Sequence, residues 1–129
     1  YQNTMKLQPD KFDVQSISAY GPGWVALDNE KITSSIIISS QGERLDWPCR
    51  GFADLTAAHF EQIATLDGEL VIFGSGARIR FPQPLWLRPL MARRIGVETM
   101  DTQAACRTYN ILAGEGRHVV AALLLEGSG

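Results

Sequence analysis

Three stretches of this chain combine residue types that could do chemistry. The first is Gly74-Ser75-Gly76, directly after the apolar run Leu70-Val71-Ile72-Phe73. Glycines let backbone approach a ligand closely, and successive N–H groups can form a concave nest for an anion. The pattern falls short of a nucleotide-binding fingerprint: no third glycine stands at dinucleotide spacing and no Gly-Lys-Ser/Thr follows. The second is Asp101-Thr102, between the strand-like Val97 to Met100 and a helical pattern reaching Leu112. A strand that turns straight into a helix presents free N–H groups and the positive end of the helix dipole, where α/β proteins commonly place ligands. The third is Cys106-Arg107-Thr108-Tyr109-Asn110. Arginine recognises carboxylate or phosphate through two parallel hydrogen bonds. Asn110 is mildly unfavourable in a helix interior and is expected to have a polar partner. Each stretch also has a plainer reading: a tight turn needing positive φ, a helix cap, and a brace for a neighbouring loop.

Catalytic constellations are missing from the local pattern. Ser75 has no visible His–Asp partnership and no nucleophile-elbow pentapeptide around it. Cys106 has no histidine within local reach to activate it. Cys49 and Cys106 lie far apart and outside metal or redox spacing, which suits reduced thiols in an intracellular protein, with a single disulfide as the alternative. His59 and His118 have no partner at ligand spacing. No catalytic residue, metal or cofactor is therefore predicted.

The totals narrow the classes further. The 129 residues, 45% hydrophobic, suit a domain able to bury roughly two-thirds of its unfolded surface. No apolar run approaches the about 18 residues of a membrane span, so no membrane insertion is expected. A net charge of −2 argues against nucleic-acid binding. The charge is unevenly spread. Residues 1–73 carry five basic and ten acidic side chains, whereas residues 74–117 carry seven arginines against Glu98, Asp101 and Glu115. The chain opens on Tyr1 rather than Met, so an upstream targeting segment stays open, and a cytoplasmic location is expected from what is present.

The elements that must hold these stretches can be read in order. Residues 1–13 are polar and read as an arm; residues 14–126 read as a single α/β domain. Ile17 to Tyr20, Trp24 to Leu27 and Lys31 to Ser40 are strand material, separated by Gly21-Pro22-Gly23 and Asp28-Asn29, and predict an antiparallel meander. Leu45-Asp46-Trp47 reads as another short strand. Thr56 is a good N-cap for a helix running to about Leu66, with Leu55 and Phe60 at hydrophobic-staple spacing. Leu70 to Phe73 is a continuous apolar run, as in a strand covered on both faces. A second helix is expected from about Leu85 to Arg94, where Pro89 is tolerated in the first turn. In the third helix, Ala104, Ala105, Thr108, Ile111 and Leu112 share the predicted core face, with Cys106 and Asn110 on the other side. Val119 to Leu125 is the last strand. The expected fold is α/β, three-layer, with a mixed central β-sheet, helices on both faces and a preceding antiparallel meander. If the strands ending at Phe73 and Met100 are parallel neighbours, the two loop tips share one rim, which Arg78, Arg80 and Arg107 would surround.

Several of these residues also carry a resemblance. Gly74-Ser75-Gly76, Arg80-Phe81-Pro82, the run from Gly96 to Leu112 and Arg117 to Leu124 resemble a widespread group of small, largely uncharacterised bacterial and archaeal proteins. Its eukaryotic relatives include a mitochondrial assembly factor of respiratory complex I and an adipogenesis-associated cytosolic protein. The resemblance spans roughly residues 14–125, and Ala104-Ala105-Cys106-Arg107-Thr108-Tyr109-Asn110 is its most specific part. It implies a three-layer α/β fold with no established enzymatic activity, and it carries over Gly74, Ser75, Gly76, Arg80, Thr102, Arg107, Thr108 and Asn110. Pro89 and Cys106 stand where the family has other residues.

Two functional expectations follow. The first is a non-catalytic binding or assembly-type protein that uses Gly74, Ser75, Gly76, Arg80, Asp101, Thr102, Arg107 and Asn110 to hold a protein partner or a small anion. By the resemblance, the protein partner would be a membrane-complex subunit. The alternative is a small enzyme acting on an anionic metabolite at the same mouth. A homo-oligomer is left open.

Overall fold

The computed structural model describes residues 14–126, so the predicted arm at 1–13 and the last three residues lie outside the described residues. Among the described residues there are eight strands: β1 (Ala19–Gly21), β2 (Trp24–Leu27), β3 (Glu30–Ile32), β4 (Ile36–Ser39), β5 (Arg44–Asp46), β6 (Leu70–Gly74), β7 (Gly96–Met100) and β8 (Val119–Leu123). The described residues also form three helices, α1 (Ala57–Ala64), α2 (Arg88–Ala92) and α3 (Thr102–Gly114), with 3₁₀ turns at Phe52–Asp54 ahead of α1 and at Pro84–Leu87 leading into α2.

The central sheet is mixed and five-stranded, in the order β5-β4-β8-β6-β7. Its middle strand, β8, is antiparallel to β4 and parallel to β6, and β6 is parallel to β7. Alternation along each strand builds two separate cores. Val119, Ala121 and Leu123 join Ile36, Ile38 and Ile72 in one core, while Val120, Ala122 and Leu124 join Ile37, Val71 and Phe73 in the other. Every residue of β8 is buried, as continuous apolar sequence in a doubly covered strand requires.

The first core is covered by α3 and the meander β1-β2-β3. The hairpin between β2 and β3 turns at Asp28 and Asn29, both at positive φ, which matches the twist of the strands it joins. Asn110 fastens this layer from α3: its Oδ1 accepts the Ile17 N–H at 2.8 Å and its Nδ2 donates to the Ile17 carbonyl at 2.9 Å. The Tyr109 hydroxyl adds a bond to the Gln15 carbonyl at 2.6 Å. The second core is covered by α1 and α2 and is strongly aromatic. Phe60 meets Trp47 and Phe73 edge-on and stacks on Trp86, with ring centroids 5.5–6.0 Å apart. The helices therefore lie on both faces of a mixed sheet, in three layers, as expected.

Three local expectations need correction. Lys31 to Ser40 is not one strand. The chain leaves the meander after Ile32 and enters the central sheet at Ile36, because Thr33-Ser34-Ser35 offers no apolar alternation to bury and Ser35 instead anchors the crossing. The Ser35 hydroxyl accepts the Leu125 N–H at 3.0 Å, and its carbonyl accepts the Trp47 N–H. The second helix is shorter than expected: residues 84–87 form a 3₁₀ turn, and α2 proper holds Pro89 at its start, where no N–H is needed. The core face of α3 is also rotated. Thr102, Ala105, Cys106, Tyr109 and Ala113 are buried, whereas Ile111 is 62% exposed. Ala105, Cys106 and Ala113 let the helix sit close to β6 and β8 while Tyr109 fills the remaining space, and that fit outweighs burial of Ile111.

Phe60 is expected to be among the most sensitive core positions. Phe60→Ala should lower unfolding free energy by about 3–5 kcal/mol in urea titration, with a smaller loss for Phe60→Leu.

Candidate functional site

The parallel register of β6 and β7 ends with Gly74 opposite Met100, which brings the two loop tips onto one rim. Four hydrogen bonds then knit three segments together. The Ser75 N–H donates to the Met100 carbonyl and the Thr102 N–H to the Gly76 carbonyl, each at 2.9 Å. The Gly76 N–H donates to Thr102 Oγ1 at 2.8 Å, and that hydroxyl donates onward to the Leu124 carbonyl at 2.9 Å. Thr102 is buried and Gly76 sits at φ +101°, so the turn has the positive φ that glycine supplies. Gly74 is glycine for want of space: a Cβ there would stand 3.0 Å from both Cα and Oγ1 of Thr102. Asp101 caps α3, accepting the Ala104 N–H at 3.0 Å. The N–H groups of Ser75, Gly76, Thr102 and Ala104 are therefore engaged within the protein.

Ser75 is fully buried, and its hydroxyl donates to the Arg78 carbonyl and accepts the Arg80 N–H, both at 2.8 Å. The Arg80 guanidinium turns inward, donating to the Ser75 carbonyl through Nη2 at 2.7 Å and through Nε at 3.2 Å. It also pairs with Glu126 and lies 5.0 Å from the centre of the Phe52 ring. Partial burial alone would raise the Glu126 carboxyl. Hydrogen bonds from Arg80 and from the Phe52 and Ala77 N–H groups, with the Arg80 charge, outweigh that and hold it below its ordinary value of 4.5.

The remaining predicted residues lie elsewhere on α3. Arg107 is exposed and donates to the Tyr20 hydroxyl at 3.4 Å, and Asn110 is the brace described above. The expected ring of arginines around one mouth is not formed, because Arg80 turns inward and Arg107 points to the meander. The cleft at the rim, about 760 Å³, is bordered instead by Trp24, Lys31, Gly76, Asp101, Gln103 and Glu126. The Lys31 ammonium lies 5.1 Å from the Trp24 ring centre. Burial pushes the Cys106 thiol up to about 12, and Cys49 likewise, so neither offers a thiolate at neutral pH. They are free thiols on opposite faces of the sheet. Among the described residues, no group of three His, Cys, Asp or Glu side chains is placed to hold a metal ion. His59 is structural: its Nδ1 accepts the Thr56 N–H at the start of α1, and its Nε2 bonds the Pro48 carbonyl. The sequence reading missed Phe52, Lys31 and Glu126, which have no local pattern and reach the rim only through the fold.

A family model described as "Protein of unknown function (DUF498/DUF598)" matches residues 17–124. Among named relatives, the bovine NADH dehydrogenase [ubiquinone] 1 alpha subcomplex assembly factor 3 is 38% identical over 82 residues, 62% of this chain and 45% of that protein. The match therefore spans less than half the length of that relative. A crystal structure of a Bordetella parapertussis protein matches with a TM-score of 0.82 at 42% identity, covering 87% of this chain and 96% of that one. A Bordetella pertussis protein described as a Mth938-like domain matches with a TM-score of 0.80 at 32% identity, covering 98% and 94% respectively.

Two outcomes are expected at this junction. Thr102→Val leaves the Gly76 N–H and the Leu124 carbonyl without their partner and should cost on the order of 2 kcal/mol in chemical denaturation, whereas Thr102→Ser should cost less. For Glu126, the folded-state pKa is depressed, so its contribution is present above the unfolded value and lost as pH falls through the folded one. The Tm difference between wild type and Glu126→Gln should hold steady from pH 7 to about pH 5 and shrink on further acidification. A difference that grows in acid would contradict this assignment.

Proposed function

We propose, on the premise that this chain belongs to the family of proteins of unknown function DUF498/DUF598, that it is a non-catalytic binding or assembly-type protein that holds another protein. The single observation carrying this reading is the distribution of exposed apolar side chains. Among the described residues, four of the five large hydrophobics that are exposed, Ile79, Phe81, Leu85 and Met91, fall in one short stretch, at 49–70% exposure. Exposed Arg78 and Arg88 lie within and beside it. Apolar anchors with arginine nearby are the composition of protein-binding surfaces, and here they lie close together along the chain.

The rim supports this surface. Buried Ser75 and inward-turned Arg80 fix the root of the stretch, and buried Pro82 fixes its middle. In this reading Gly74, Ser75, Gly76, Asp101 and Thr102 position the surface rather than contact the partner, Asn110 braces the meander, and exposed Arg107 is available to a partner's acidic group. Relatives named as assembly factors of NADH dehydrogenase make a subunit of a membrane respiratory complex the partner class to test first.

The test is affinity capture from cells of the native organism, followed by measurement of Kd with the captured subunit. Phe81→Ser should weaken binding at least about tenfold, the loss expected for an interface anchor, while Ile111→Ser, an equally exposed apolar change on α3, should bind as wild type does. Equal affinity for wild type and Phe81→Ser would overturn the proposal.

A further inference from the structure

The Glu126 carboxylate occupies a cradle whose parts come from two distant segments. The Arg80 guanidinium pairs with Oε1, and the Phe52 N–H donates to Oε2 at 3.1 Å. The Ala77 N–H also favours the charged carboxylate. Two walls are bare backbone. A Cβ at Gly51 would stand 2.7 Å from Oε2, and one at Gly76 would stand 2.3 Å from Oε1, so a side chain at either position would press on the carboxylate. Charge-assisted donors converging on a carboxylate from a guanidinium and a main-chain N–H are the strong form of hydrogen bond.

Three parts of this cradle have supports other than Glu126. Arg80 is aimed by its two bonds to the Ser75 carbonyl, and Gly76 is fixed by Thr102. Phe52 is held by its ring packing against Phe73 and Trp86. These parts are held from elsewhere in the fold, and the occupant reaches in from beyond the end of β8. The site is also reachable. The Arg80 and Glu126 side chains are 26% and 31% exposed, and Glu126 lines both the cleft of about 760 Å³ and a second one of about 370 Å³ beside Arg50.

We propose that Gly51, Phe52, Gly76, Ala77 and Arg80 form a carboxylate-binding site that Glu126 fills as an internal ligand and that an external carboxylate can enter by displacing it. The chemistry fits either an acidic side chain presented by another polypeptide or a small carboxylic acid. This inference is independent of the apolar surface proposed above, since Phe81→Ser leaves every cradle donor in place.

The test is amide NMR on Glu126→Ala titrated with propionate, which has the carboxylate and stem of a glutamate side chain. Propionamide and sodium chloride serve as controls. Saturable shifts of the Gly51, Phe52, Gly76 and Ala77 amides are expected with propionate alone. Affinity should fall at least tenfold in Glu126→Ala with Arg80→Lys, where the forked donor is lost. Wild type should bind more weakly than Glu126→Ala, because a tethered carboxylate competes at an effective concentration of about millimolar or more. A capped Gly-Glu-Gly peptide separates the two sources. Binding of both probes supports an acidic side chain, and binding of propionate alone supports a small acid. A folded Glu126→Ala whose four amides stay unmoved at about 100 mM propionate, far above that effective concentration, would overturn the proposal. If that variant does not fold, the wild-type Glu126 side-chain carboxyl carbon is followed instead. Failure of its resonance to move toward the free-glutamate position under propionate would overturn the proposal equally.

Discussion

One hydroxyl group satisfies the backbone where three segments meet. Thr102 Oγ1 accepts from Gly76 at the end of β6 and donates to Leu124 beyond β8, while the Thr102 N–H returns a bond to Gly76. These groups are shut away from water, where an unpaired N–H or carbonyl costs about 1–3 kcal/mol. A buried hydroxyl, donor and acceptor at once, resolves that demand with a single side chain. The consequence reaches back to Gly74, whose missing Cβ is what lets α3 begin so close to the sheet. Asp101 caps the same helix turn, so the positive end of α3 is occupied by the protein's own acceptors.

That closed junction gives the rim its character. A glycine turn against a helix N-terminus commonly receives phosphate or carboxylate. Here the turn's N–H groups are bound to Met100 and Thr102, and the nearby arginine is bound to Ser75 and Glu126. The rigidity obtained is transmitted to the stretch after Ser75. Part-buried bonds from Ser75 to Arg78 and Arg80 hold its root, and Ile79 and Phe81 stand exposed beyond it. Apolar side chains on a pre-ordered segment lose less conformational freedom on docking than the same side chains on a loose loop.

The two faces of the sheet divide labour between them. On one face the aromatic side chains of Trp47, Phe60, Phe73 and Trp86 fill a core beneath α1 and α2, and Phe52 extends that cluster to the Arg80 guanidinium. On the other, small residues of α3 and β8 let the helix lie close, and Asn110 holds the chain ahead of the meander against it. The residues of the most specific sequence motif split accordingly. Cys106 and Tyr109 pack the core, Asn110 braces, and Arg107 alone of these four is exposed.

Much of this was legible from local sequence because local physics decided it. The β-branched run Ile36 to Ile38, the apolar run Leu70 to Phe73, the Asp28-Asn29 turn and the Asp101 cap are each determined by a few neighbouring residues. Together they gave a mixed sheet with helices on both faces and two loop tips on one rim. Where a choice depended on what lay opposite, the tertiary structure decided. Helical periodicity alone favoured Ile111 for the core, but the sheet accepted the face of Ala105, Cys106, Tyr109 and Ala113, because the fit of a helix to a sheet is a property of two surfaces. The joining of Arg80 to Glu126, 46 residues away, was equally beyond local reading. Sequence records which groups can pair, whereas the strand order of the sheet determines which ones are brought within reach.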